Sequence, residues 1–238
     1  MKIAADLHIH SGLSPCGHDD MTPHNIAGMA AIKELKMIAV TDHNSVRNLR
    51  QFEKAAQEYG LVLLPGLEIQ TREEIHVLGY FPTVDAAEEF ASALAKVLAP
   101  IKNKVKLFGH QTVYSDSDEV DDEEEILLLQ SAAWDLSETI AQVETFGGVA
   151  VPAHVDKAAN SLLATLGFVP PDLPVKTLEV SGRYDRESDP LHLSKFQLIR
   201  SSDAHFLTDI LEAEELYDLP ACTRTAMLDY LKGGKRHA

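Results

Sequence analysis

Short apolar runs rich in β-branched residues alternate along this chain with segments of helical period, and this alternation constrains the fold most. The apolar runs predict strands at 2–7, 37–41, 61–69, 75–81, 148–153, 175–180 and 198–201. The helical-period segments predict helices at 23–35, 46–59, 84–99, 135–146 and 207–216. Such an alternation is typical of α/β proteins in which the strands lie inside.

The connection between the third and fourth predicted strands, residues 70–74, is too short for a parallel crossover. That pair is therefore predicted to be antiparallel. The other strands fit either a mostly parallel sheet or a closed, distorted barrel, and hydrophobic periodicity does not separate the two. At the first helix, Thr22 is expected to cap the N-terminus and Pro23 to occupy the first helical position.

The length and composition limit the classes of protein to which the chain can belong. With 238 residues, 45% of them hydrophobic, the chain fits one globular domain over residues 1–238. Two cysteines are too few for a disulfide framework, and the start of the chain lacks the apolar run of a signal peptide. We therefore expect a cytoplasmic protein that does not contact a membrane. The sequence carries no signal for the oligomeric state.

The formal net charge of −16 bears on the partners of the chain. Nucleic-acid binding depends on clustered Lys and Arg that displace counterions from phosphates. We therefore expect a small phosphorylated substrate, with nucleotides among the candidates, and no extended nucleic-acid surface. Bound divalent cations would offset the negative charge locally and still allow a phosphate to bind.

Residues 83–132 differ from the rest of the chain. They combine an amphipathic stretch, 84–101, with a dense acidic run at 115–125. This segment is expected to be an insertion between the fourth and fifth strands. Two interpretations stay open: a cap over the functional site, or a solvated surface loop.

Histidines and carboxylates recur at the carboxyl ends of the predicted strands. His8 and His10 are two residues apart at the end of the first strand, so both rings lie on one side of an extended chain. Comparable groups end the second, third, fifth and seventh strands: His43, Glu68, His154, Asp203 and His205. His24, His110, His192 and His237 lack this placement and are expected to be ordinary surface or hydrogen-bonded histidines.

His76 stands at the start of the fourth strand rather than at an end. Because that strand is predicted to be antiparallel to its partner, its start lies at the same edge as the partner's end. Convergence of polar groups from several strand ends is how barrels build active sites. The pattern therefore favours a barrel with a metal site at one mouth.

These motifs resemble those of the polymerase and histidinol phosphatase (PHP) superfamily. They are DLHIHS at 6–11, TDHN at 41–44, GLE at 66–68, PAH at 152–154 and SDAH at 202–205, in the family's order. The resemblance implies a distorted seven-stranded (β/α)7 barrel that binds two or three divalent metals through about nine ligands. Eight positions match directly: His8, His10, His43, Glu68, His76, His154, Asp203 and His205.

The ninth ligand departs from the common pattern of the family, which places Ser-Asp-Gly shortly before Thr-Pro. Counting back from Thr22 and Pro23 puts His18 at the position of the aspartate. Asp19, Asp20 and Cys16 are the alternatives, and a Cys16 thiolate would favour zinc. The mixed histidine and carboxylate set suits Mn²⁺, Zn²⁺ or Fe²⁺.

Further roles are assigned to individual side chains. Glu68 is expected to bridge two metals, and Asp203 or His205 to assist proton transfer to the leaving group. Asp6 and Asp42 flank ligands and are candidates for hydrogen-bond acceptors that orient an imidazole. Arg183 and Lys157 follow strand ends and are candidate phosphate ligands.

The resemblance implies a metal-dependent phosphoesterase. We expect it to hydrolyse phosphate monoesters of small metabolites, with nucleotides among them, by attack of a metal-bound hydroxide. The alternatives are a non-catalytic metal-binding regulatory domain, a histidinol-phosphate phosphatase and an oligonucleotide phosphoesterase. An amidohydrolase is a weaker alternative, because no lysine occupies a strand end where it could be carboxylated.

Overall fold

The computed structural model describes residues 1–234 and shows an α/β fold. The strands are β1 (Lys2–Ile9), β2 (Met37–Val40), β3 (Val62–Leu63), β4 (Gly66–Gln70), β5 (His76–Tyr80), β6 (Thr112–Tyr114), β7 (Val120–Glu123), β8 (Val149–Pro152), β9 (Thr177–Val180), β10 (Gln197–Arg200) and β11 (Leu216–Asp218). The helices are α1 (Pro23–Ile32), α2 (Leu49–Glu58), α3 (Val84–Leu94), α4 (Val105–Phe108), α5 (Leu136–Thr145), α6 (Leu162–Leu166) and α7 (Arg224–Leu231). His237 lies outside the described residues.

Side-chain caps define the starts of several helices. Thr22 accepts a hydrogen bond from the backbone N–H of Asn25, and Pro23 opens α1, as the sequence predicts. Asp135 and Glu138 form a complete capping box at the start of α5. Within residues 1–234, no helix combines the length and the apolar character needed to cross a membrane.

The strands pair in four small sheets. Their orders are β11-β1-β2-β3, β10-β9, β4-β5-β8 and β6-β7. The pairs β1-β2, β2-β3 and β9-β10 are parallel, whereas β4-β5 and β5-β8 are antiparallel. Isolated parallel bridges, Ile9 with Ala204 and His43 with Glu68, join neighbouring sheets at the polar ends of the strands.

The α/β prediction and the antiparallel third and fourth strands are confirmed, since β4 pairs antiparallel with β5. The predicted strand 61–69 is divided by Leu64 and Pro65 into β3 and β4, because proline interrupts a hydrogen-bonded ladder. The ladders of residues 1–234 are short and mixed, and they do not by themselves trace a seven-stranded (β/α)7 barrel.

One apolar cluster is shared by strands of separate sheets. It includes Leu7 of β1, Tyr80 of β5, Val151 of β8 and Ile199 of β10. The Tyr80 hydroxyl donates a 2.8 Å hydrogen bond to the carbonyl of Leu7, which satisfies the only polar atom of a fully buried side chain. A second, larger cluster packs α1, α2, α3 and α5 against the other faces of the strands.

The predicted helix at 207–216 is wrong. The chain forms one short 3-10 turn, Leu207–Asp209, and continues to β11, which pairs antiparallel with β1. Asp6 accepts a 3.0 Å hydrogen bond from the backbone N–H of Leu211, within this connection. Pairing with β1 therefore outweighs the helical period of a short segment.

The segment 83–132 is structured. It contains α3, α4 and the antiparallel hairpin of β6 and β7, whose turn holds part of the acidic run. The hairpin packs on the loop that follows β1, so closely that a Cβ on Gly12 would lie 2.0 Å from the Tyr114 hydroxyl. Asp122 of β7 also pairs with Arg47 at 2.5 Å.

Candidate metal centre

The site begins at the carboxyl end of β1, where His8 and His10 are fully buried. The spacing of two residues turns both rings to the same side, and their Nε2 atoms lie 3.1 Å apart. Two imidazole nitrogens facing one another at this distance share either a proton or a cation. The two rings therefore form a binding site for a proton or a metal cation.

Glu68, on β4, lies at the centre of the site and is 1% exposed. Its Oε1 lies 3.4 Å from His8 Nε2, 2.8 Å from His76 Nδ1 and 3.2 Å from His154 Nε2. Its Oε2 lies 3.4 Å from His10 Nε2 and 3.1 Å from His43 Nδ1. The two carboxylate oxygens thus face different groups of imidazoles, which is the arrangement that a bridge between two cations requires.

Asp203 and His205 complete the site from the segment after β10. Asp203 Oδ1 lies 3.3 Å from His8 Nε2 and 3.2 Å from His10 Nε2. The His205 ring stacks on His10 with centroids 4.5 Å apart. Asp203 and His154 both have positive φ angles, +54° and +28°, a strained backbone that is common where side chains are held for function.

The charges of the cluster show how strongly it favours a cation. Burial opposes ionisation of Glu68, but the imidazoles of His76, His8 and His43 hold its pKa well below the ordinary range. Burial also opposes protonation of His10, yet hydrogen bonds to Asp203 and Glu68 raise its pKa to about 9. Glu68 therefore stays ionised, and His10 is protonated to a higher pH than an ordinary histidine.

The donor set fits divalent metal ions. Three groups of side chains bring their ligand atoms within 4.8 Å of one another: His8 with His10 and Asp203; His43 with Glu68 and His76; and His10 with Cys16, His43 and His205. His76 Nε2 and His154 Nδ1 are buried without a hydrogen-bond partner. A buried imidazole nitrogen without a partner needs an explanation, and an ion bound at the cluster would supply one.

The eight residues matched by motif thus lie together, but His18 does not join them. Its side chain is 47% exposed, near Asp20, and its ring contacts Phe206. Cys16, two residues earlier, is the member of this loop grouped with His10, His43 and His205. Asp19 and Asp20 are exposed. Sequence spacing alone does not specify which side chain of this loop turns inward.

A second layer of side chains orients the cluster. Asp42 accepts hydrogen bonds from both the N–H and the hydroxyl of Ser11, and from the Ser14 hydroxyl, which lies 3.0 Å from His10 Nδ1. Asp6 instead accepts bonds from backbone N–H groups, including that of Ser202. Asp42 therefore acts on a ring, through Ser14, and Asp6 acts on the backbone.

Glu179, on β9, is a functional side chain that the motif analysis missed. It is 2% exposed, its Oε2 lies 3.0 Å from His8 Nδ1, and the same oxygen accepts a 2.9 Å bond from the backbone N–H of His154. A carboxylate on the outer nitrogen of an imidazole fixes the tautomer that leaves Nε2 free to bind a metal. The available signal was a glutamate one residue before the carboxyl end of the predicted strand 175–180, the kind of position at which the other site residues recur.

The cluster opens into a cleft of about 910 Å³. Its walls include Lys157 and Arg183, the two cations expected to bind phosphate. Lys157 contacts Asp203 directly, whereas Arg183 is exposed on the loop after β9. Asp156 fixes that loop by accepting hydrogen bonds from the N–H and the hydroxyl of Ser181, at 2.7 and 2.6 Å.

Comparison with curated proteins finds relatives over part of the chain. An uncharacterized protein of Methanocaldococcus jannaschii is 35% identical over 89 residues, which cover 34% of this chain and 52% of the relative. A 5′-3′ exoribonuclease of Haemophilus influenzae is 32% identical over 77 residues, 31% of this chain and 27% of the relative. The matches thus span about half of one relative and about a quarter of the other.

Solved structures share the fold at low identity. The lesion-specific endonuclease Q of Pyrococcus furiosus superposes with a TM-score of 0.68 and 17% identity, covering 99% of this chain and 57% of that one. A two-domain protein of Bacteroides vulgatus with a predicted PHP-like metal-dependent phosphoesterase gives a TM-score of 0.58 and 16% identity, covering 99% of this chain and 64% of that one.

The expectation that limited the partner to a small phosphorylated molecule and excluded a nucleic-acid surface is wrong. A second endonuclease Q structure, with a TM-score of 0.67 and 19% identity over 99% of this chain and 57% of that one, holds a 27-mer duplex with an abasic lesion at the active site. The net charge of −16 describes the bulk surface. It does not describe the cleft, whose charge would be set locally by bound metal ions and a few cationic side chains.

A family model provides the wider match. The model of the PHP domain aligns with residues 6–166, about two thirds of the chain, and this range contains six of the eight clustered ligand candidates. Asp203 and His205 follow the matched range but lie in the same cluster. The family and the similar structures together indicate a hydrolase, and the chain belongs to the PHP domain family.

Proposed function

We propose that this chain is a metal-dependent phosphoesterase that hydrolyses the phosphate ester of a small metabolite or a nucleotide. The observation that carries the proposal is Glu68, whose two oxygens face separate imidazole groups at the base of the cleft. Two ions held by these residues would act together on one phosphoryl group.

The residues that hold the ions are, in this proposal, the eight clustered side chains, with Cys16 as a further ligand. With divalent ions bound, the site supplies Lewis-acid stabilisation of the phosphate and a water of lowered pKa. His205 Nδ1 lies 2.8 Å from the carbonyl of Asp203, which fixes its proton there and leaves Nε2 for a ligand or a proton donor. We assign proton transfer to the leaving oxygen to Asp203 and His205.

Arg183 and Lys157 are proposed to bind the phosphate. The Ser181 hydroxyl accepts a 3.2 Å hydrogen bond from the backbone N–H of Arg183, so the loop is ordered while the guanidinium remains exposed in the cleft. A guanidinium binds two phosphate oxygens at once. Lys157, in contact with Asp203, places a second positive charge beside the cluster.

Strand ends of nucleic acid are included among the proposed substrates. The exoribonuclease relative and the fold shared with endonuclease Q support this extension. The cleft is large enough for a nucleotide, since small-molecule sites occupy about 300–1,000 Å³.

Two structural proposals accompany the function. The strands that share the polar edge, β1, β2, β4, β5, β8, β9 and β10, form a distorted barrel, supported by the bridges between sheets and the shared apolar cluster. The segment 83–132 is a cap, supported by its packing on the loop after β1 and by Leu129, which lines the cleft. The cytoplasmic location expected from the composition stays a prediction.

The test is metal-resolved hydrolysis. The protein is stripped with a chelator, Mn²⁺, Zn²⁺, Fe²⁺ or Mg²⁺ is restored singly, and phosphate release is measured from nucleotides, sugar phosphates, histidinol phosphate and short oligonucleotides. We expect turnover with Mn²⁺ or Zn²⁺ and a loss of at least about 100-fold in Glu68→Gln, because the bridging charge is removed. Glu89→Gln, an exposed glutamate on α3, is the matched control and should leave turnover unchanged.

Tight metal binding without turnover on any substrate would contradict the proposal and favour the regulatory domain. Equal turnover in Glu68→Gln and the native chain would exclude Glu68 as the bridge.

A further inference from the structure

Two exposed rings lie side by side next to the metal centre. Phe206 is 49% exposed and His18 has a 47% exposed side chain, and their ring centroids are 5.2 Å apart with an interplanar angle of 39°. Neither ring belongs to the metal-ligand groups of the described residues. Phe206 is one of several exposed large apolar side chains, and it is distinguished by its contact with the His18 ring directly after His205 of the metal centre.

The position of the pair is fixed from both sides. His18 donates its backbone N–H to the carbonyl of His205 at 2.9 Å, which ties the loop after β1 to the segment after β10. Phe206 directly follows His205, and His18 follows Cys16 by two residues. Cys16 and His205 both line the cleft. The ring pair therefore lies beside the wall of the cleft that Cys16 and His205 form, and we call this pair the rim, although neither ring lines the cleft itself.

Polar contacts hold the rim in place without covering it. His18 Nδ1 lies 3.4 Å from Asp20 Oδ2 and accepts a 3.2 Å hydrogen bond from the backbone N–H of Asp20. Phe206 starts the short 3-10 turn Leu207–Asp209, and its carbonyl accepts a bond from the N–H of Asp209. The rings are thus held by ordered loops while both keep about half of their surface free.

We propose that Phe206 and His18 form a stacking platform for the nucleobase of the substrate, an inference that rests on the proposed phosphoesterase function. A base offers a flat π surface to an exposed aromatic ring, and such stacking contributes about 1–3 kcal/mol per base. A phosphate held at the cluster places a ribose in the cleft and its base toward the rim. The platform selects base-bearing phosphate esters over sugar phosphates of the same charge.

The test measures binding rather than turnover. The probes are adenosine 5′-methylenephosphonate, whose carbon–phosphorus bond is not hydrolysed, and the matching ribose 5-methylenephosphonate, titrated calorimetrically into the metal-loaded chain. We expect the adenosine probe to bind at least about fivefold more tightly than the ribose probe. Phe206→Ala should remove this difference and leave the ribose probe unchanged, whereas Phe206→Trp should retain it.

Phe168→Ala is the matched control, because Phe168 is 58% exposed and lines a different cavity. A ten-residue oligothymidylate distinguishes the two sources of a base: binding that weakens in Phe206→Ala assigns the platform to strand ends, and no binding assigns it to free nucleotides.

Equal affinities of the two probes for the native chain, or equal losses for both in Phe206→Ala, would overturn the platform. If base-dependent binding holds while no ester is hydrolysed, the platform stands and the phosphoesterase proposal fails.

Discussion

At the scale of single residues, Glu179 shows how a side chain outside the motifs controls one inside. Its carboxylate lies 3.0 Å from His8 Nδ1, and it also accepts the N–H of His154. Glu179→Gln removes the carboxylate charge but keeps the size of the side chain, so the His8 imidazole becomes less basic and no cavity opens. We expect Glu179→Gln to lower metal affinity about 10- to 100-fold.

The measurement is competition between the protein and a chromophoric chelator for Zn²⁺ or Mn²⁺, beside circular dichroism to establish that the variant is folded. Glu138→Gln, which alters only the capping box of α5, is the control and should leave metal affinity unchanged. Native affinity in Glu179→Gln would show that the contact is structural.

The site residues that could be predicted from the sequence all lie at strand ends, which the spacing of apolar residues locates. Strand ends bring His8, His43, Glu68 and His154 to one edge, because side-chain direction in a strand follows from period two. His18 and Cys16 belong to an irregular loop, where turn geometry decides which side chain turns inward. Glu179 was missed because the predicted strand 175–180 also carries Lys176 and Thr177, so one more polar side chain there does not stand out.

At the scale of elements, the hairpin of β6 and β7 is docked through a histidine of α1. His24 Nδ1 lies 2.8 Å from Asp118 Oδ1, and Asp118 also contacts Thr22 at the helix cap. The hydrogen bond to Asp118 raises the pKa of His24, against a smaller opposing effect of burial. The acidic turn is therefore tied to the body of the protein rather than free in solvent.

This contact predicts a pH dependence of stability. Because the folded pKa of His24 is raised, its stabilisation is complete below the ordinary histidine pKa and is lost as pH rises through the folded value. We expect His24→Gln to lower the free energy of unfolding by about 0.5 kcal/mol at pH 5.5 and by less at pH 9. Urea unfolding at the two pH values measures the difference.

The partner variant provides the control. In Asp118→Asn, the pH dependence of the His24→Gln effect should shrink to the part contributed by Glu58, whose carboxylate lies 3.3 Å from His24 Nε2. A pH-independent difference between His24→Gln and the native chain would refute the contribution of the ion pair.

Helices and strands could be predicted where neighbouring residues in the sequence specify them. The caps of α1 and the antiparallel β4-β5 pair follow from Thr22, Pro23 and the short 70–74 connection. The edge strand β11 did not follow, because its three residues are specified by pairing with β1, more than two hundred residues away in sequence. Long-range pairing of this kind overrides the local period.

At the scale of the whole molecule, the charge of the surface and the charge at the metal centre have different origins. A net charge of −16 keeps a chain soluble and disfavours broad contact with phosphates. The site concentrates Glu68 and Asp203 among buried imidazoles, and divalent cations bound there would reverse the sign of the local field. Net charge therefore describes the charge of the surface but does not predict which partner the site binds.

The same cluster links metal binding to global stability. Its ligands come from β1, β4, β5 and the segments after β2, β8 and β10, so an ion that binds only the folded chain joins most of the sheet edge. A metal at 100 times its dissociation constant stabilises the folded state by about 2.7 kcal/mol. For a chain of this size, that corresponds to a rise in melting temperature of about 5–10 °C.

Thermal unfolding with excess chelator and with Zn²⁺ or Mn²⁺ measures this rise, and Glu68→Gln should reduce it to less than half because the bridge between the ligand groups is lost. Ions that bound only exposed acidic residues, such as the 115–125 run, would stabilise the native chain and Glu68→Gln equally. An equal rise in the two proteins would therefore place the metal outside the cluster, whereas the loss of the rise in Glu68→Gln locates the stabilising ions at the strand ends.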